Sequence, residues 1–457
     1  MVFLRACLPL LRAGTALGRL GRGGTGLGGR GLARLRRGHT DLALPEMSCR
    51  HRLFRHVPEN PISIDSTAVC HGVHLGGGRT GKPPARGRGR PGLDLLTSRA
   101  RRTARQLRRG DGPVGGGERT ARAYIGSFTA AGGAGVITAA VAPDGGLTVL
   151  GATAEVPDPS YLALGPGGDL LYAVSETADG AVAAFDPDGD TARLLAPPAP
   201  VAAEGPTHLC VHGGRVFTAN YGSGSVSVLP LRADGPPAPA AHVLNHHGSG
   251  PHPQRQQGPH VHQVLPDPSG RWLVAVDLGT DSVRVHALRD GMLTLHREFA
   301  LRPGSGPRHL AFHPDGHHLY VLNELTPTLT VCRWDADGGD LRPLGETAVL
   351  PGAPGADAYP SEVVVSPDGR FLWTATRGED VLSVLALDPA GDAARLLTTV
   401  PCGGHWPRDL ALSPQGLLYA ANERSGDVTW FTVDPDSGTP ALAGSVPAPA
   451  ASSVLFG

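Results

Sequence analysis

The sequence predicts an all-β fold, a seven-bladed β-propeller, and three observations carry that expectation. One pattern recurs six times: a proline, a short apolar run, a Pro-Asp or Pro-Gly type turn, then a second apolar run ending in polar residues. The copies begin at Pro159, Pro206, Pro259, Pro307, Pro360 and Pro407, with spacings of 47, 53, 48, 53 and 47 residues. A period near 50 residues with several strand-like segments per unit corresponds to one propeller blade per repeat. Residues 121–457 have the length of seven such units, and the two ends of that stretch supply complementary halves of the seventh.

Each unit reads as four strands. In the fifth, Leu310 to Phe312 forms the first and His313-Pro314-Asp315-Gly316 the turn. Leu319–Glu324, Leu329–Trp334 and Leu341–Leu350 follow as the second, third and fourth. Turn-forming residues separate them, as antiparallel hairpins require. In the first unit Ala123–Phe128 aligns with a second strand and Gly135–Leu150 supplies a third and fourth, but no first strand precedes them. The chain ends Ser452-Ser453-Val454-Leu455-Phe456, a first strand with no second after it. Pairing the two ends completes one blade and closes the ring, which removes exposed sheet edges.

Residues 1–120 read differently and are assigned to no blade. Residues 1–122 carry 24 of the 41 basic residues and 7 of the 41 acidic ones, so a net charge of zero conceals a split chain. Gly- and Arg-rich runs such as Arg86-Gly87-Arg88-Gly89-Arg90 cannot bury enough apolar surface to offset ordering entropy, and disorder is expected. Three readings stay open: an upstream translation artefact of a GC-rich gene, a basic tail for anionic partners, or a targeting segment. Arg5 and Arg12 interrupt the apolar Leu4–Leu11 run, so it makes a poor secretory core and is far too short for a membrane span. A balance of −17 over the remainder argues against nucleic acid as a partner of the propeller. Cys210, Cys332 and Cys402 fall in three different repeats without a CxxC pair, which suggests free thiols in a reducing compartment.

Aligning repeats by their prolines gives columns. One residue after the proline stand Ser160, Thr207, His260, Arg308, Ser361 and Arg408, where each innermost strand begins. The antiparallel second strand returns to the same side, ending at Glu176, Tyr221, Leu278, Glu324, Arg377 and Glu423. These are preceded by Ser175, Asn220, Asp277, Asn323, Thr376 and Asn422. Polar columns thus converge on one mouth of the tunnel. Three residues after the proline the column is apolar except for His262, which breaks it. A histidine in place of a buried leucine needs partners. Taken alone it reads as a satisfied core residue; among the other polar residues it reads as a site residue.

The chemistry open to such a cluster is limited. His262 or His260 is a candidate general base, with Glu324 and Glu423 to orient or assist it. Arg308, Arg377 and Arg408 could hold a phosphate or carboxylate and stabilise an oxyanion. Asn220 and Asp277 join the expected substrate-binding set. No Gly-x-Ser-x-Gly elbow occurs, so attack by activated water, or proton abstraction, fits better than a covalent intermediate. The stretch Asn245–His252, followed by His260 and His262, invites a metal reading. Its spacings match no standard zinc site, and its Gly, Pro and Gln content reads as a mobile loop. No metal and no cofactor are assigned.

Several of these segments resemble one family. Tyr124–Thr129, Ala219-Asn220-Tyr221-Gly222-Ser223-Gly224-Ser225-Val226, Pro259-His260-Val261-His262-Gln263, Val276–Asp281 and Gly306-Pro307-Arg308-His309-Leu310 are similar to the lactonase family of seven-bladed propellers, as are Asn323-Glu324-Leu325 and Asn422-Glu423-Arg424-Ser425. The family includes the bacterial propeller-type 6-phosphogluconolactonases and the fungal carboxy-muconate cyclases. The resemblance covers residues 121–457. It implies a lactone opened or formed at the tunnel mouth without a metal, with His262 or His260, Arg308, Glu324 and Arg377 matching the implicated groups. The long His/Pro/Gln insert before Pro259 departs from the pattern.

The expected function is therefore a cytoplasmic lactonase in the pentose phosphate pathway, acting on 6-phospho-D-glucono-1,5-lactone as a monomer or weak homo-oligomer. Two other readings remain: a cycloisomerase or lactonase for a muconate-type or neutral sugar lactone, and a non-catalytic propeller that binds a partner.

Overall fold

The computed structural model describes residues 121–355 and 357–457. The expectations for residues 1–120 lie outside the described residues. The remainder is a ring of seven antiparallel sheets, with two single-turn 3-10 segments at Thr129–Ala131 and Leu278–Thr280 as its helical content among the described residues. In the fifth blade the strands are Pro307–Phe312, His318–Asn323, Thr328–Asp335 and Asp340–Ala348, in that order from the tunnel outward. The second blade differs at its rim. There Arg193–Leu194 and Ala199–Pro200 pair separately with the third strand, because the intervening Pro197 and Pro198 cannot donate to a ladder.

The first blade joins both ends of the propeller. Arg122–Ser127 pairs on one side with Val136–Val141 and on the other with Ala451–Phe456, setting Tyr124 opposite Leu455 and Ile125 opposite Val454. The ring is held by apolar clusters wedged between neighbouring blades. Tyr320, Leu322, Val363, Leu372 and Leu385 fill the one between the fifth and sixth blades, and Ile125, Ala139, Tyr419 and Val428 seal the seventh against the first. Alternating inward and outward side chains on each strand let one blade serve two such clusters.

The innermost strands corrected one expectation. Pairing sets Val264 opposite Ala275 just as it sets Leu310 opposite Val321, so Val264, not His262, occupies the apolar column. The fourth repeat is offset by two residues: Val261 stands where Pro307, Pro360 and Pro407 stand in their blades, and His262 is the equivalent of Arg308. His262 therefore does not break a packing column. It belongs to the polar one, and His260 lies in the segment before the strand.

In six blades the innermost strand carries a β-bulge at this same place. The residues without a pairing partner are Ser452, Thr207, His262, Arg308, Ser361 and Arg408. A bulge suspends the period-2 alternation and re-aims the extra side chain. Its consequence is that two successive residues of each strand are polar and near the axis. The bulged residues form an upper tier; Tyr161, His208, Gln263, His309, Glu362, Asp409 and Ser453 form the tier beneath.

Candidate active site

The upper tier is tied together across blades. Ser452 Oγ donates to Ser160 O (2.8 Å), Thr207 Oγ1 to His262 O (3.2 Å) and Ser361 Oγ to Pro407 O (2.6 Å), while Arg308 donates to Ser361 O. Between the tiers lies a pocket lined by Ser160, Glu176, Thr207, His262, Arg308 and Arg408 from above. Tyr161, His309, Glu362 and Asp409 form its floor. The cavity itself is narrow, about 10 Å³, with room for about one water below its open mouth.

Glu324 is the electrostatic centre. Its carboxylate is buried and meets three guanidinium groups: Arg255 at 2.7 Å, Arg377 at 3.1 Å and Arg308 at 3.3 Å. Burial alone would raise its pKa, but Arg377, Arg308 and Arg255 together hold it down to about 2. Burial, then repulsion from Arg377, brings Arg308 down to about 9, so it stays cationic at neutral pH. Arg377 also lies under the rings of Tyr359 and Trp406 (6.0 and 5.8 Å), which fixes its plane. Arg408 faces Glu423 (3.4 Å) and Glu176 (3.8 Å) across the pocket. Burial raises the Glu176 carboxyl above its ordinary range.

His262 sits 6 % exposed, its ring edge-on to Tyr221 and to His309 (5.6 and 5.0 Å). Burial and the nearby Arg308 charge push its pKa well below that of a free histidine, so the ring is neutral at pH 7. Its Nδ1 has no hydrogen-bond partner among the described residues. A neutral imidazole keeps one unprotonated ring nitrogen, which can accept a proton.

The floor holds a second acid–base group. His309 Nδ1 lies 2.6 Å from Glu362 Oε2, and the Glu362 and Asp409 carboxyls face each other. Burial pushes Glu362 up to about 7; burial and the Glu362 charge push Asp409 well above the carboxylate range. Two buried carboxyls in contact hold one proton between them. Burial and Arg308 keep His309 neutral, with Nε2 unpartnered among the described residues.

The structure thus brings His262, Arg308, Glu324 and Arg377 into one cluster, with Arg408 and Glu423 on its rim. His260 is set back: its ring stacks on Tyr221 (4.4 Å) and its Nδ1 lies 2.9 Å from Tyr221 O. Asn220 and Asp277, expected to bind substrate, do not line the pocket. Asn220 Nδ2 donates to Ser225 and Ser227 (3.1 and 2.9 Å), clamping the second strand to the third. Asp277 Oδ1 accepts from His260 N and Gly279 N (2.8 and 3.0 Å), and its Oδ2 lies 2.7 Å from His246 Nδ1. Asp277 thereby builds the insert onto the blade. Gly279 is required at that junction, because a Cβ there would meet Gly258 O at 1.9 Å.

The His/Pro/Gln insert is a built segment rather than a loose loop. Gln256 is fully buried and donates to Leu278 O and Asp281 (2.8 and 2.7 Å). Its histidines do not converge on one point: His246 turns inward to Asp277 and His252 Nδ1 accepts from Gln254 N and Arg255 N (3.3 and 3.2 Å). The insert's contribution to the site is Arg255, which sequence reasoning missed, together with the Tyr221 hydroxyl it touches at 3.3 Å. The lower tier was missed too, although its residues stand side by side in the repeats once the fourth is shifted by two.

The family model described as Lactonase, 7-bladed beta-propeller matches residues 122–456. A 6-phosphogluconolactonase of Bacillus subtilis (strain 168) is 32% identical over 322 residues, which span 69% of this chain and 92% of the relative. Among solved structures, a periplasmic gluconolactonase of Pseudomonas aeruginosa matches with a TM-score of 0.69 at 32% identity, over 74% of this chain and 99% of that one. A protein of Lactobacillus plantarum matches with a TM-score of 0.70 at 30% identity, over 74% of this chain and 99% of that one.

Proposed function

The chain belongs to the lactonase family of seven-bladed β-propellers, and from that premise we propose that it hydrolyses 6-phospho-D-glucono-1,5-lactone to 6-phosphogluconate. The observation that carries the choice of an anionic lactone is the charge balance at the mouth. Arg255, Arg308, Arg377 and Arg408 outnumber the fully charged carboxylates around them: Glu324, Glu423 and the one charge shared by Glu362 and Asp409, beside a Glu176 whose carboxyl is raised by burial. Positive charge is left over, and a phosphate complements it.

In this reading the lactone carbonyl lies against Arg308 and the phosphate against Arg377 or Arg408. His262 takes a proton from water as the water oxygen attacks the carbonyl carbon. Arg308 stabilises the oxyanion that forms, at a site already shielded from bulk water. The C–O bond to the ring oxygen then breaks, and that oxygen receives the proton held on His262. Glu324 is a positioning residue: it sets the planes of three arginines without touching substrate. The reaction fits a reducing, cytoplasmic setting, in which the buried thiols Cys210, Cys332 and Cys402 stay unpaired. Among the described residues no helix is long and apolar enough to cross a membrane.

The test is hydrolysis of freshly made 6-phosphogluconolactone by the full chain, read against the spontaneous rate. His262→Gln and Arg308→Met are run alongside. A rate well above buffer that falls in both variants supports the proposal. A folded protein with no rate above buffer on this lactone overturns it. Activity confined to an unphosphorylated lactone moves the assignment to a neutral substrate.

A further inference from the structure

A second cluster of chemically competent side chains lies on the opposite face of the ring. The innermost strand of the fifth blade leaves the mouth at Arg308 and ends at Phe312. At roughly 3.4 Å per residue, the turn that follows is about 15–20 Å from the pocket. In that turn and the start of the next strand stand His313, Asp315 and His318, whose ligand atoms all lie within 4.8 Å of one another. His313 Nδ1 is 3.0 Å from Asp315 Oδ2, and His318 Nδ1 is 2.8 Å from the same oxygen.

The outer nitrogens of both histidines are already committed. His313 Nε2 lies 3.2 Å from Gly369 O in the sixth blade. His212 makes the same contact one pair of blades earlier, its Nε2 2.9 Å from Gly270 O, so this orientation is a feature of the turn. His318 Nε2 lies 3.0 Å from Asp392 Oδ1, and Arg333 holds that carboxylate through both oxygens (2.7 and 2.6 Å). Asp315 Oδ1 accepts from His317 N at 2.7 Å, which leaves Oδ2 for the centre. His313 Nδ1 and His318 Nδ1 thus both face Asp315 Oδ2, and the three atoms form one compact group of possible ligands. Asp315 N also donates to His313 Nδ1 at 3.2 Å, a contact that an ion at Nδ1 would replace.

We propose that His313 Nδ1, Asp315 Oδ2 and His318 Nδ1 form a transition-metal site, with Zn²⁺ as the best-matched occupant. Two imidazoles and one carboxylate are a borderline donor set of the kind zinc takes, with water completing four-coordination. Metal-bound histidines characteristically donate their second N–H to a carboxylate or backbone carbonyl, and both partners are in place here. Ligand oxygen and nitrogen would move to about 2.0–2.2 Å from the ion, a small adjustment on an exposed turn. The ion would lock the turn to the second strand and, through Gly369 and Asp392, to the sixth blade. Its role is structural, remote from the pocket.

The experiment uses the full chain stripped of metal by chelator, titrated with Zn²⁺ by calorimetry and followed by thermal unfolding. Asp315→Asn keeps the acceptor for His317 N on an exposed turn, so it preserves the fold while removing the anionic ligand. Wild-type protein is expected to bind one equivalent more than Asp315→Asn or His318→Gln, and to show a rise in Tm with Zn²⁺ that both variants lack. Co²⁺ is expected to give visible d–d bands in the wild type that weaken in the variants. Asp392→Asn, which keeps all three ligands, should weaken binding roughly 10–100-fold. His247→Ala, in the insert, should keep the equivalent. The same stoichiometry and Tm shift in wild type, Asp315→Asn and His318→Gln would overturn the site, as would a wild type that binds no Zn²⁺.

Discussion

Arg255 places its guanidinium 2.7 Å from the Glu324 carboxylate across 69 residues of sequence, reaching from the insert before the fourth blade's first strand to the turn just after the second strand of the fifth. The insert therefore completes the site's charge set. Its side chain is one-third exposed, and Glu324 keeps Arg308 and Arg377 when it is removed. Arg255→Met is expected to cost about 1 kcal/mol of stability or less. It should raise KM for a phosphorylated lactone about tenfold with a smaller change in kcat. Steady-state kinetics check the split.

His262→Gln is expected to lower kcat by about 10²- to 10⁴-fold, the usual contribution of a general base. Because burial and Arg308 hold this imidazole well below the ordinary histidine range, it stays a base into mildly acidic solution. The acid limb of the kcat/KM profile should therefore fall below pH 6.5. A limb at or above that value would assign the base elsewhere.

Glu324→Gln removes the shared counter-charge of two buried arginines and is expected to destabilise the fold by about 3 kcal/mol. Its pKa is held at about 2, below its value of 4.5 in an unfolded chain. Its contribution is therefore present above pH 4.5 and lost as pH falls toward 2. Urea midpoints measured across that range should fall less steeply with acid in the variant.

Glu362 has the opposite sign. Its folded pKa of about 7 lies above its unfolded value, so the native state binds the extra proton. Stability from this group is full below pH 4.5 and declines as pH rises through 7. Glu362→Gln should flatten that decline in a urea series from pH 5 to 8.

Removing residues 451–457 takes the innermost strand from the first blade and exposes the edge of Arg122–Ser127. The truncated chain is expected to lose cooperative unfolding and to aggregate. Calorimetry and light scattering check both.

The blades were legible because prolines and turns recur at a near-constant period, and the ring closure followed from the unmatched strands at Tyr124 and Val454. The second-strand column was legible as well: Glu176, Tyr221, Leu278, Glu324, Arg377 and Glu423 all occupy equivalent positions. His262 was found for the wrong reason. Pro259 precedes its strand by two residues more than the other prolines do, which made a mouth residue look like an intruder in the packing column. His309, Glu362 and Asp409 escaped because a bulge suspends strict alternation, and no sequence period marks it. Arg255 escaped because its partner is fixed by the path of a long insert, which proline, glycine and glutamine content alone does not determine.

The bulges separate two demands that a strand normally makes of one residue. A paired position must suit the ladder and the pleated surface. The extra residue at Thr207, His262, Arg308, Ser361, Arg408 and Ser452 has no partner across the ladder. Hydroxyl, imidazole and guanidinium groups already occupy that one position in different blades without altering the sheets. Substrate preference in this architecture can accordingly diverge through single substitutions at unpaired positions, while the apolar wedges that hold the ring stay untouched.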